Sequence, residues 1–187
     1  MKYLLAIDLE TTGLDPQYHE IVEIGAVLLD NKFNELGTFE YLVCPEYPER
    51  ALSFNDDGTV RNNLALFNWG QLMRLGENIY HTVTHLENFV RGHVRETKEV
   101  CLFGQNIKFD DSFLRAAYKQ CEQDWPFDYH AIDLVSMWYQ WYMFNTGKPP
   151  ESLSLKKIGE YFEIDNPTEH RALADIQFTI QLARKMS

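Results

Sequence analysis

The chain has 187 residues, enough for one domain with a sizeable buried core. A hydrophobic share of 45% and a charged share of 24% are those of an ordinary globular protein, which excludes a disordered or low-complexity chain. The formal net charge of −11 argues against a broad grip on long duplexes, because phosphate contact needs a basic surface, but it leaves room for a carboxylate site in which divalent metals supply the positive charge.

Residues 2–10 alternate loosely and are rich in Leu and Ile, which predicts a strand. The apolar run at 3–7 ends at Asp8, too short for a signal peptide or a membrane span, so a soluble, cytoplasmic protein with no membrane association is expected. Thr11-Thr12-Gly13-Leu14-Asp15-Pro16 reads as a turn region. Residues 21–29 form an apolar run broken only by Glu23 and Gly25, a second strand, and 35–43 a third. Three strands with short links predict an antiparallel meander. Residues 44–61, rich in Pro, Asn, Asp and Gly, read as a long loop.

A short helix is expected at 68–76 and a longer one at 84–95, where Leu86, Phe89, Val90 and Val94 fall at helical spacing. A strand at 99–103 and a helix at 109–120 follow, then a short strand at 131–134 that feeds an aromatic-rich helix reaching 145. In that helix Trp138, Tyr139, Trp141, Tyr142 and Phe144 read mainly as core. Helices over Leu155–Phe162 and Ala172–Met186 complete the chain. Strands first and then alternating helices and strands imply an α/β domain with a mixed sheet, continuous over residues 1–187. The three cysteines, Cys44, Cys101 and Cys121, are odd in number and lack C-x-x-C spacing, against a disulfide framework or a zinc site.

The chemistry lies in carboxylates. Asp8 and Glu10 are two apart on a strand, so both point to one face, where each raises the other's pKa unless a cation sits between them. An EF-hand would place an acid at its twelfth loop position, where this chain has His19. Asp110 opens a helix and could serve as a first-turn acid, a role Asp111 or Ser112 could equally fill. Asp175 lies four residues after Arg171, the spacing of a surface ion pair, yet it falls between the core positions Leu173 and Ile176. His170 stands at the mouth of the same helix.

Taken together, Asp8-Leu9-Glu10-Thr11-Thr12-Gly13-Leu14, Asn106-Ile107-Lys108-Phe109-Asp110 and His170-Arg171-Ala172-Leu173-Ala174-Asp175 resemble, in this order, the three motifs of the DEDDh 3′→5′ exonucleases of the ribonuclease H-like superfamily. That family takes in polymerase proofreading subunits, ribonuclease T and oligoribonuclease. Glu20-Ile21-Val22-Glu23-Ile24-Gly25-Ala26 is similar to its second strand. One departure is Gln105, where the family often has His.

The resemblance implies a ribonuclease H-like fold, a mixed five-stranded sheet flanked by helices. It also implies two divalent cations, Mg²⁺ or Mn²⁺, acting on the attacking and leaving oxygens of an in-line displacement. Asp8 would touch both metals, Glu10 and Asp175 would hold the one that binds the nucleophilic water, and Asp110 would support the other. His170 would take the water's proton, as a neutral imidazole can. Thr11, Thr12 and Leu14 would meet the terminal nucleotide, and Asn106 would hold the substrate or its own loop. The expected substrate is the 3′ end of single-stranded DNA or RNA, the product a nucleoside 5′-monophosphate, and the partner, if any, a second copy or a polymerase. Two rivals share the fold: a ribonuclease H-type endonuclease and a non-catalytic nucleic-acid-binding module.

Overall fold

The computed structural model describes residues 2–51, 69–165 and 171–187. His170 and the part of the expected loop beyond residue 51 lie outside the described residues. Three strands come first, β1 (Tyr3–Thr11), β2 (Ile21–Asp30) and β3 (Glu35–Leu42), followed by the helices α1 (Trp69–Leu75) and α2 (Ile79–Arg91). Then come β4 (Val100–Gly104), α3 (Lys108–Gln120), β5 (Ala131–Asp133), α4 (Leu134–Thr146), α5 (Leu155–Phe162) and α6 (Ala172–Met186). The five strands form one sheet in the order β3-β2-β1-β4-β5. The first three strands pair antiparallel, as a meander must, while β4 and β5 add in parallel beside β1.

Alternation along each strand divides the apolar residues between two cores. Leu5, Ile7 and Leu9 of β1 meet Ile24, Ala26 and Leu28 of β2 on one face, under Val83, Leu86 and Val90 of α2 and Phe113 and Leu114 of α3. Leu4 and Ala6 meet Val27 and Leu29 on the other, under Ile176, Ile180 and Ala183 of α6 and Leu134 and Trp138 of α4. Each fully buried aliphatic side chain stabilises the fold by roughly 1.5–3 kcal/mol. Because helices cover both faces, β2 carries a nearly continuous apolar run, and its one buried charge, Glu23, stands out.

The aromatic helix α4 divides its rings. Trp138 is buried, Trp141 and Tyr142 are half-buried against Tyr161 and Phe162 of α5, and Tyr139 and Phe144 are exposed. Among the described residues no helix is long and apolar enough to cross a membrane.

The main departure from expectation is α2, which begins at Ile79 rather than residue 84. Asn78 starts it, its side chain accepting a hydrogen bond from the His81 N–H at 2.8 Å.

Candidate active site

On the α6 face of β1 the residues run Leu4, Ala6, Asp8, Glu10, so the apolar core gives way to carboxylates toward the strand's C-terminal end. β2 supplies the neighbours, with Gly25 opposite Asp8 and Glu23 opposite Glu10. A Cβ on Gly25 would lie 2.2 Å from the Leu173 nitrogen and 2.3 Å from the Ala172 carbonyl carbon. With hydrogen there instead, the first turn of α6 rests directly on the strand. Asp175, in that turn, thereby joins Asp8 and Glu10, and one oxygen from each of the three carboxylates lies within 4.8 Å of the others.

Asp110 arrives from the opposite face of the sheet. Helix α3 follows β4, which runs parallel to β1, and Asp110 Oδ1 accepts a hydrogen bond from the Leu9 N–H at 2.9 Å. Asp110 does not cap α3, nor do the alternatives: Asp111 pairs with Arg115 at 2.8 Å, and Ser112 Oγ donates to the Phe109 carbonyl at 2.7 Å. Asp110 is only 4% exposed.

This crowding acts on the acids. Burial pushes Asp8 well above the usual carboxylate range, and the charges of Asp110, Glu10, Asp175 and Glu23 push it further. Burial, then Glu23 and Asp175, raise Glu10 to about 7, against the pull of Arg171. Burial raises Asp110 to about 8, although the hydrogen bond from Leu9 favours its charged form. An all-oxygen donor set whose members resist ionisation together is complementary to a hard divalent cation and unsuited to a soft one.

The RNase_T exonuclease family matches residues 5–54 and 89–183, a span that includes all the acids of the site. The chain belongs to this exonuclease family. The domain is a 3′→5′ exonuclease, a phosphodiester hydrolase on a ribonuclease H-like fold. This exonuclease is 26% identical over 180 residues to the oligoribonuclease of Vibrio parahaemolyticus, across 94% of this chain and 92% of that protein. It is 25% identical over 182 residues to the PolC-type DNA polymerase III of Caldanaerobacter subterraneus subsp. tengcongensis, across 97% of this chain but 11% of the polymerase. The epsilon subunit of DNA polymerase III from Treponema pallidum is 25% identical over 181 residues, across 97% of this chain and 74% of the subunit. Among solved structures, E. coli exonuclease I in complex with a dT13 oligonucleotide has the same fold, with a TM-score of 0.76 at 21% identity, covering 99% of this chain and 41% of that one.

The remaining residues expected at the site of this exonuclease surround the first acids or precede α3. Thr11 Oγ1 donates to the Gly13 carbonyl at 2.7 Å, and buried Thr12 accepts from the Glu20 N–H at 2.8 Å, so both shape the turn after β1. Leu14, on that turn, is 70% exposed. His19 packs its ring where a Gly13 side chain would be, which accounts for the glycine. Asn106 is exposed and left-handed at φ 51, a conformation Asn tolerates, and its N–H donates to Asp133 at 3.1 Å. Gln105 turns its amide toward the Leu153 carbonyl, 3.3 Å away.

Arg171 turns to the sheet rather than along its own helix. Its guanidinium bonds to Glu23 at 3.2 Å and Glu40 at 3.3 Å, on the two neighbouring strands. Glu23 also belongs to the site, where its charge acts on Asp8 and Glu10. Its signal in the sequence is a lone acid in an apolar run, which a fold keeps buried only with a partner.

Proposed function

We propose that Asp8, Glu10, Asp110 and Asp175 hold two divalent cations, Mg²⁺ or Mn²⁺, where the 3′ end of single-stranded DNA or RNA is hydrolysed to nucleoside 5′-monophosphates. The observation that carries this reading is the convergence of Asp8, Glu10 and Asp175 within 4.8 Å, with buried Asp110 beside them. When bound, such a pair stabilises the attacking and leaving oxygens and lowers the pKa of the attacking water. Asp8, which feels the charges of all three other acids, would be the ligand shared by both ions. Glu10 and Asp175 would hold the ion on the water side, and Asp110, outside the group of three, would support the one on the leaving side.

His170, one residue before Arg171, takes the proton from the water. Exposed Leu14 wedges against the last base, while Thr11 and Thr12 set the turn that presents it and Asn106 borders the substrate. Similarity over 92% of an oligoribonuclease supports action on short strands by a single domain spanning residues 1–187. Similarity to the PolC-type polymerase and the epsilon subunit supports a polymerase partner, and the exposed rings of α4 suit a homodimer.

The test uses single strands of DNA and RNA, labelled at either end, with Mg²⁺, Mn²⁺ or EDTA, and Asp8→Ala as control. A metal-dependent ladder that shortens from the 3′ end, is lost in the variant and leaves circular DNA uncut is the expected result. Cleavage of the circle would establish an endonuclease instead. No cleavage of any strand would return the chain to the binding-module reading.

A further inference from the structure

We infer that Glu23, Arg171 and Glu40 form a positioning device that sets the first turn of α6, and through it Asp175, against the carboxylates of β1. The inference rests on the reading that Asp8, Glu10 and Asp175 bind metal. Glu23 has no solvent exposure, so its charge must be met within the fold. The Arg171 Nε donates to both of its oxygens at 3.2 Å, and the nearby Ala172 backbone N–H also favours its charged form.

Arg171 is the N-cap residue of α6, with extended backbone at φ −131 and ψ 120, and its own side chain caps nothing. The negative charge that a helix start favours comes instead from β2, as Glu23. Arg171 also reaches Glu40 on β3 at 3.3 Å. Its carbonyl accepts the N–H of Asp175 at 3.0 Å, so the residue gripped by two strands is the one that begins the hydrogen-bonded turn of the metal ligand. Two residues along β2, Gly25 admits the α6 backbone and fixes its height above the sheet. Helical residues are about 100° apart, so a one-residue slip of this turn would carry Asp175 away from Asp8 and Glu10.

The experiment compares wild type with Glu23→Gln, Arg171→Met and Arg184→Met in the intact protein. Arg184 lies at the far end of α6, bonded to the Phe33 carbonyl at 2.7 Å and to Glu35 at 3.3 Å, and so controls for loss of an α6 ion pair remote from the site. Mn²⁺ binding is read by calorimetry, thermal melting by fluorescence, and the α6 first-turn amides by hydrogen exchange in EDTA. The site variants should bind Mn²⁺ about 10–100-fold more weakly, the loss usual when a partner behind a metal ligand is removed, and their first-turn amides should exchange faster. Arg184→Met should lower the melting temperature but bind Mn²⁺ as wild type does.

Unchanged Mn²⁺ binding and exchange in Arg171→Met would overturn the inference, as would Mn²⁺ binding that falls with melting temperature in Arg184→Met too. If Arg171→Met does not fold, Arg171→Lys carries the same comparison, because it keeps the charge but not the fork. If wild type binds no Mn²⁺, the metal reading fails, and the exchange comparison still decides whether the device sets α6.

Discussion

Asp110 accepts a hydrogen bond from the Leu9 N–H at 2.9 Å, a contact between residues 101 positions apart. Leu9 lies between Asp8 and Glu10, so this bond ties the helix that follows β4 to the peptide joining the first two acids. It also brings a further carboxylate into a region where each added negative charge makes the next harder to ionise.

That crowding sets a pH dependence of stability. Glu10 and Asp110 are raised in the fold to about 7 and about 8, whereas unfolded carboxylates titrate near 4. The folded chain therefore binds more protons than the unfolded one between these values, and stability falls as pH rises through the interval. The opposite trend, from lowered acids such as Asp30 and Asp128, is confined to more acidic solution. Protein in EDTA should melt at a higher temperature at about pH 6 than at about pH 8.5, and millimolar Mg²⁺ or Mn²⁺ should narrow the gap. Scanning fluorimetry checks both. A melting temperature that rises with pH in EDTA would contradict the crowding.

Asp110→Asn separates charge from shape. The amide oxygen can still accept from Leu9, so the fold is kept while one buried charge goes. In EDTA at about pH 8.5 the variant should be at least as stable as wild type. With metal its turnover should fall on the order of 10²–10³-fold, the effect of losing several kcal/mol of transition-state stabilisation. Melting and single-turnover rates on the same preparation decide it. A large loss of stability would mean that the fold needs the charge of Asp110, and an unchanged turnover would mean that Asp110 is not a ligand.

His170→Ala tests the base. At neutral pH the rate should drop by about 10²–10⁴-fold, and the rise of rate with pH as an imidazole loses its proton should vanish. Mn²⁺ affinity should stay near that of wild type. An unchanged pH–rate profile would remove His170 from the reaction.

Much of this fold was legible in the chain, and the reasons differ by element. The bounds of α5 and α6 came out as expected, because Ser154 caps the one and an apolar face runs the length of the other. The start of α2 lies ahead of residue 84 because the side chain of Asn78 sets it there, and Ile79 and Val83 carry the apolar face of Leu86 and Val90 back to that cap. The acids were legible as motifs, but their convergence was not a matter of local spacing. Asp8 and Glu10 share a face by strand alternation alone, whereas Asp110 and Asp175 reach them only through the parallel placement of β4 and the seating of α6 on Gly25. Arg171 shows the limit: four residues from Asp175 it invites a local ion pair, while its partner Glu23 lies 148 positions away.

Gly25→Ala bears on that seating. The added methyl would meet Leu173 nitrogen at 2.2 Å and Ala172 carbonyl carbon at 2.3 Å, both backbone atoms of a helix start that no side-chain rotation can clear. The sheet is fixed on both sides of Gly25 by pairing with Asp8 and Glu40, so the first turn of α6 must lift. Overpacking of this kind costs about 1–3 kcal/mol, so the variant should fold but melt at a lower temperature. The same lift would draw Asp175 away from Asp8 and Glu10. Mn²⁺ binding should therefore weaken more than in a core variant with an equal loss of stability, such as Leu182→Ala toward the far end of the same helix. Calorimetry on the two variants at a temperature where both are folded makes the comparison. Equal Mn²⁺ affinities would show that the site tolerates a displaced α6, and that Gly25 serves packing alone.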